Sequence, residues 1–172
     1  MKMEENRIVL LPGQLIISQN KEIVWTLLGS CISIVFYNPG MKISAVCHAQ
    51  LPKEGSEGQC TDNCPKPCGS TGKKQYKYVT CSFKYMVQKF KNLGIGLDEI
   101  EVGLYGGASI YSSKKVDIFK IGERNLKIAR ELIMKNKMKI TKESCGGNMS
   151  RTIIHYADTG ITKITLNESI VI

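Results

Sequence analysis

No stretch of this sequence approaches the roughly 18 consecutive apolar residues that mark a membrane-spanning helix. Met1 to Asn20 carries Glu4, Glu5, Arg7, Pro12 and Gly13 where a signal peptide would need an apolar segment. Membrane insertion and secretion are therefore not expected, and the chain is expected in the cytoplasm. No P-loop or dinucleotide fingerprint occurs, since Gly106-Gly107 and Gly122-Glu123-Arg124-Asn125 match neither pattern and read as turn geometry. Zinc-finger spacing and aromatic-interleaved basic motifs are also missing, so a nucleic-acid partner is not expected. Between Asn63 and Leu97 there is no carboxylate at all, against seven lysines, within a chain of formal charge +9. Such a field favours acidic partners without specifying a fold. Histidine is scarce, with only His48 and His155 available for chemistry near neutral pH.

What is present is ordinary in bulk and distinctive in detail. The 172 residues are 42% hydrophobic and 23% charged, without a visible repeat. That suits one globular domain burying roughly 70% of its unfolded surface. Seven cysteines, an odd number, are expected to be reduced in a cytosolic chain, so each is core, ligand or nucleophile. Cys60, Cys64 and Cys68 fall in a stretch rich in Gly, Lys, Pro, Ser and Thr, which reads as a long surface loop inserted at 53–78. Three thiols in that loop suit zinc or an iron-sulfur cluster, a redox role or mere decoration; the usual zinc spacing is tighter and no fourth ligand is evident.

Short β-branched and apolar runs at Ile8–Leu11, Leu15–Ser18, Ile23–Leu28, Ile32–Tyr37 and Ile43–Gln50 predict strands. Ile23–Leu28 and Ile32–Tyr37 are nearly continuous in their apolarity, which places both in a covered sheet interior. Asn38-Pro39-Gly40 predicts a tight turn, with glycine supplying positive φ, that folds the Cys31 strand back on the His48 strand. Val79, Phe83, Met86, Phe90 and Leu93 step at helical spacing and are closed by Gly94. Leu126, Ala129 and Ile133 predict a second helix from near Gly122, and Glu101–Tyr105, Lys139–Thr141, Arg151–Tyr156 and Ile161–Leu166 predict further strands. Many strands with two separated helices indicate an α+β class, a layered mixed β-sheet with two main helices, in a single domain over 1–172.

Cys31 follows Gly29-Ser30 at the start of one predicted strand, and His48 closes the next. A free thiol has a pKa of about 8.5, and an adjacent imidazole is the usual means of raising its thiolate fraction. Cys31 would attack an amide carbonyl, while His48 would protonate the leaving nitrogen and then activate water, assistance worth roughly 10²- to 10⁴-fold. Backbone N–H groups around Gly29, Ser30 and Cys31 are the candidate oxyanion donors, each worth about 3–4 kcal/mol. Taken singly, Cys31 and His48 would read as core residues. His155 has no nucleophile beside it in sequence, and Cys47, adjacent to His48, points to the opposite face and reads as core.

Leu27-Leu28-Gly29-Ser30-Cys31, Tyr37-Asn38-Pro39, His48-Ala49-Gln50-Leu51-Pro52, Tyr105-Gly106-Gly107-Ala108, Ile121-Gly122-Glu123-Arg124-Asn125 and Gly146-Gly147 with Arg151 stand in one order. Together they resemble the CheD family, the chemoreceptor glutamine deamidases of bacterial chemotaxis. The resemblance runs from about Val9 to Leu166, apart from the loop. It implies hydrolysis of glutamine side chains to glutamate on methyl-accepting receptors, with Cys31 as nucleophile, His48 as base, no cofactor and no metal. It also implies a CheC-like phosphatase as a partner where one is encoded. The family's threonine, six before the cysteine, falls on Trp25 here, while Thr26 stands five before. Since one residue reverses a strand side chain, the hydroxyl role passes to Thr26 or to a substitute such as Ser30. The competing expectation is an adaptor that binds receptors or CheC without chemistry.

Overall fold

The computed structural model describes residues 6–52, 76–109 and 120–167. In chain order the strands are β1 (Asn6–Val9), β2 (Leu15–Ser18), β3 (Glu22–Leu28), β4 (Ile32–Asn38), β5 (Ile43–Cys47), β6 (Glu101–Gly106), β7 (Ile140–Cys145), β8 (Ser150–Tyr156) and β9 (Ile161–Asn167). The helices are α1 (Val79–Asn92) and α2 (Ile121–Lys135), with a 3-10 turn at Leu97–Glu99. Two sheets form, ordered β2-β5-β4-β6-β7 and β1-β3-β8-β9.

Strand β4 dictates how these sheets stack. It is buried at every position, which demands cover on both sides. Ile32, Ile34 and Phe36 join Val79, Phe83, Met86, Phe90, Ala129 and Ile133 from the helices, whereas Val35 packs with Val24, Leu28 and Ile153 from the other sheet. Successive strand residues point to opposite faces, so these two clusters lie on either side of the five-stranded sheet. The molecule is thus an α+β stack of helices, five-stranded sheet and four-stranded sheet. Phe36 sits edge-on to Phe83 and Phe90, with ring centroids 5.6 and 5.7 Å apart. Burying each such aromatic contributes roughly 1.5–3 kcal/mol.

Three expectations need correction. Strand β3 is not covered on both sides: Val24, Thr26 and Leu28 are buried, but Leu27 is 49% exposed, and Trp25 on the same outer side is half-buried. Its apolar outer residues made an alternating strand look continuous. Strand β5 stops at Cys47 rather than Gln50, because His48 pairs with another partner, described below. In the β4–β5 turn, positive φ falls on Lys42 (φ 51) and not on Gly40; Asn38 Oδ1 shapes the bend by accepting the Met41 N–H at 2.8 Å. Of the loop expected at 53–78, residues 53–75, with Cys60, Cys64 and Cys68, lie outside the described residues, and Tyr76–Tyr78 lead the chain into α1.

Candidate active site

Main-chain groups of an earlier loop hold His48 in place. Its N–H donates to the Gln14 carbonyl at 2.9 Å, and its own carbonyl accepts the Gly13 N–H at 2.8 Å. One residue on, Ala49 and Ile32 exchange both backbone hydrogen bonds at 2.9 Å, extending the register that sets Val35 opposite Val46. Counting back one step puts Cys31 opposite Gln50, so Cys31 and His48 share the sheet face turned toward the second sheet. They are diagonal neighbours, a relation that spans roughly 7–8 Å between Cα atoms. Cys47 takes the opposite face, fully buried on the helix side, where its sulfur accepts the Ile34 N–H at 3.3 Å.

The second sheet contributes Thr26. Strand β3 turns Val24, Thr26 and Leu28 inward and Trp25 and Leu27 outward. The one-residue offset therefore leaves the hydroxyl on the inner side, and Thr26 rather than Ser30 reaches the imidazole. Thr26 Oγ1 lies 2.7 Å from the Leu10 carbonyl and 2.7 Å from His48 Nδ1, which itself lies 3.3 Å from that carbonyl. A carbonyl only accepts, so the Thr26 hydroxyl donates to Leu10, and its oxygen is left to accept from Nδ1–H. This network assigns the proton of neutral His48 to Nδ1. Nε2 then carries the lone pair, and it is buried without a hydrogen-bond partner among the described residues.

Cys31 closes the short connection by which the chain passes from β3 to β4, and hence from one sheet to the other. All three carbonyls of that connection are held. Gly29 O accepts from Ala108 N–H at 2.8 Å, Cys31 O from Gly107 N–H at 2.8 Å, and Ser30 O from Asn125 Nδ2 at 3.0 Å. Among the described residues outside the sheet ladders, no backbone carbonyl accepts from the N–H groups of Gly29, Ser30 or Cys31. Gly106 must be glycine here: its φ is +100, and a Cβ would lie 2.2 Å from the Cys31 carbonyl.

The electrostatics favour a neutral pair. Burial lowers the His48 pKa, opposed by the Leu10 carbonyl. Burial also raises that of half-buried Cys31, opposed by its own backbone N–H. Both directions favour the uncharged thiol and imidazole over a thiolate–imidazolium pair. Between two sheets the cost of desolvating charge is the largest cause of both shifts.

The remaining polar residues behave differently. Arg151 is buried and clamps the Gly146-Gly147 turn through the carbonyls of Gly146 and Met149 and the Ser144 hydroxyl. His155 is also fully buried between the sheets, with Nε2 2.8 Å from Ser44 Oγ and Nδ1 2.9 Å from Thr162 Oγ1. Burial holds its pKa down to about 4. Nothing near His155 in sequence announced this pairing, since Ser44 comes from a strand 111 positions away. Among the described residues no group of three or more His, Cys, Asp or Glu side chains is arranged to hold a metal. No described helix is long and apolar enough to cross a membrane.

Fold and site together define a three-layer α+β domain that gathers a thiol, an imidazole and a hydroxyl at the junction of two sheets. The family model described as CheD, CheD chemotactic sensory transduction, matches residues 65–166. The chain belongs to the CheD family. Similar curated proteins extend the match toward the N-terminus, where Thr26, Cys31 and His48 lie. The "Probable chemoreceptor glutamine deamidase CheD" of Methanococcus maripaludis is 30% identical over 82% of either chain. That of Caldanaerobacter subterraneus is 32% identical over 77% of this chain and 75% of its own. The "Chemoreceptor glutamine deamidase CheD" of Thermotoga maritima is 29% identical over 86% of this chain and 84% of its own.

Proposed function

We propose that this chain is a cysteine-dependent protein-glutamine deamidase acting on methyl-accepting chemotaxis receptors in the cytoplasm, as a single domain with the inserted loop. The observation that carries this reading is the Thr26 to His48 Nδ1 contact of 2.7 Å, which leaves Nε2 as an unoccupied proton acceptor on the Cys31 face. The names of the similar proteins supply the substrate class.

In the proposed reaction the Cys31 sulfur attacks the carboxamide carbon of a glutamine side chain as its proton passes to His48 Nε2. The carbonyl oxygen becomes an oxyanion facing the N–H groups of Gly29, Ser30 and Cys31. The C–N bond then breaks, the imidazolium returns its proton to the departing nitrogen, and ammonia leaves. Water attacks the thioester with Nε2 as base, and the C–S bond breaks to release glutamate and the thiol. Thr26 accepts the hydrogen bond from Nδ1–H throughout and stabilises the imidazolium each time it forms. No metal or cofactor takes part in this scheme, and a CheC-like phosphatase is a proposed partner.

The test is ammonia release from a receptor cytoplasmic fragment, with the glutamine-to-glutamate conversion located by mass spectrometry. Cys31→Ala and His48→Ala should abolish release while the fold persists. Undiminished release from both would refute the assignment. A wild-type chain that binds the fragment without release would instead favour the adaptor reading.

A further inference from the structure

Asn125 is a buried polar residue on α2, far in sequence from the site, and it makes two hydrogen bonds that no helix needs. Its Nδ2 donates to Ser30 O at 3.0 Å and to Gln50 O at 2.9 Å, across 95 and 75 positions of sequence. One carbonyl immediately precedes Cys31, and the other lies two residues after His48. The side chain is fully buried, and its Oδ1 has no hydrogen-bond partner among the described residues. Asn125 is therefore present for what its amide donates.

The start of α2 is docked closely enough to make this placement exact in register. A Cβ on Gly122 would lie 2.6 Å from Gly107 O, so helix and turn meet backbone to backbone. The same Gly107 donates its N–H to Cys31 O. Gly107 and Ala108 thus hold the outer two carbonyls of the Gly29-Ser30-Cys31 connection, and among the described residues Asn125 alone holds the middle one.

In a trans peptide the carbonyl of one residue and the N–H of the next point in opposite directions. Holding Ser30 O against α2 therefore fixes the direction of the Cys31 N–H. That N–H belongs to the nucleophile residue itself, so the peptide plane that Asn125 holds carries a donor beside the attacking sulfur. A donor fixed there stands next to the place where an oxyanion forms once the sulfur has attacked. We infer that Asn125 is the positioning residue for this oxyanion donor, acting through the Ser30–Cys31 peptide plane rather than by touching substrate. The inference rests on the deamidase reading and deepens it.

Two measurements separate this role from simple bracing. Deamidation builds an oxyanion, whereas alkylation of Cys31 by iodoacetamide does not. Asn125→Ala and the milder Asn125→Ser should lower kcat for ammonia release from a receptor fragment by roughly 10²-fold, with KM changed by less than about threefold. Both should leave the iodoacetamide rate at Cys31, measured on folded protein below its melting temperature, within about threefold of wild type. A kcat equal to wild type in a folded variant would overturn the inference, as would an alkylation rate that falls in step with kcat. If Asn125→Ala does not fold, Asn125→Ser decides. A wild-type chain that releases no ammonia would overturn the deamidase reading itself, an outcome distinct from an active wild type with equally active Asn125 variants.

Discussion

Thr26→Val removes one hydroxyl from the site and almost nothing else. Valine keeps the β-branched shape in a fully buried strand position, so packing of β3 survives. The imidazole loses its nearest partner at 2.7 Å, but Nδ1–H retains the Leu10 carbonyl at 3.3 Å. For the neutral ring this exchange of a good hydrogen bond for a long one costs about 1 kcal/mol of stability. The catalytic cost is larger, because in the proposed reaction the ring is an imidazolium in each transition state and hydrogen bonds to charged groups are worth about 1.5–3 kcal/mol. Full loss corresponds to roughly 10- to 150-fold in rate, and the Leu10 carbonyl recovers part of it. Ammonia release from a receptor fragment should therefore show kcat reduced about 10- to 50-fold, KM little changed, and a melting temperature only a few degrees lower. A kcat within twofold of wild type would refute the assignment of the Nδ1 proton and of Thr26 as its acceptor.

His155 makes stability pH-dependent. Its folded pKa of about 4 lies below the ordinary 6.5, so its contribution is full above pH 6.5 and is lost as pH falls toward 4. The total is about 3 kcal/mol; urea midpoints should fall across that window, and a flat response would contradict the buried neutral ring. Iodoacetamide should label Cys31 well before Cys47 and Cys81, which are buried, and Cys145, whose pKa is pushed up to about 11. Because burial raises the Cys31 pKa, its labelling should still be accelerating beyond pH 9, whereas a plateau near neutrality would indicate a resting thiolate. Gly106→Ala combines a strained φ with a contact against the Cys31 carbonyl and should cost roughly 2–5 kcal/mol in chemical denaturation.

The parts of this molecule that were legible in its sequence are those written in side-chain period. The α1 stripe of Val79, Phe83, Met86 and Phe90 and the buried run of β4 are fixed by which residues are apolar, and both stand where that spacing puts them. Period fails when apolar residues occupy an open face, as Trp25 and Leu27 do on β3. It also fails where position is set by groups that every residue carries: the carbonyl of Leu10 and the main chain of Gly13 and Gln14 fix His48, and no side-chain identity signals them. Asn125 reads from the sequence as part of a turn, whereas it stands inside α2 (Ile121–Lys135). Its partners, the carbonyls of Ser30 and Gln50, became visible only once α2 was docked against Gly107.

A neutral resting pair changes what the surrounding protein must supply. An ion pair of thiolate and imidazolium would carry its nucleophile ready-made, and its scaffold would need only to hold it. Here burial drives both groups toward their uncharged forms, so in the proposed reaction charge appears only as the sulfur attacks, at once on the ring and on the substrate oxygen. Groups that meet developing charge are most effective when already oriented, because no reorganisation is then needed at the moment of reaction. Thr26 meets the positive charge from one sheet. The N–H groups of the Gly29-Ser30-Cys31 connection, whose carbonyls are held by Gly107, Ala108 and Asn125, meet the negative charge from the other. The junction between the two sheets is where both supports reach one thiol, and loosening either should slow the same step without exposing the sulfur.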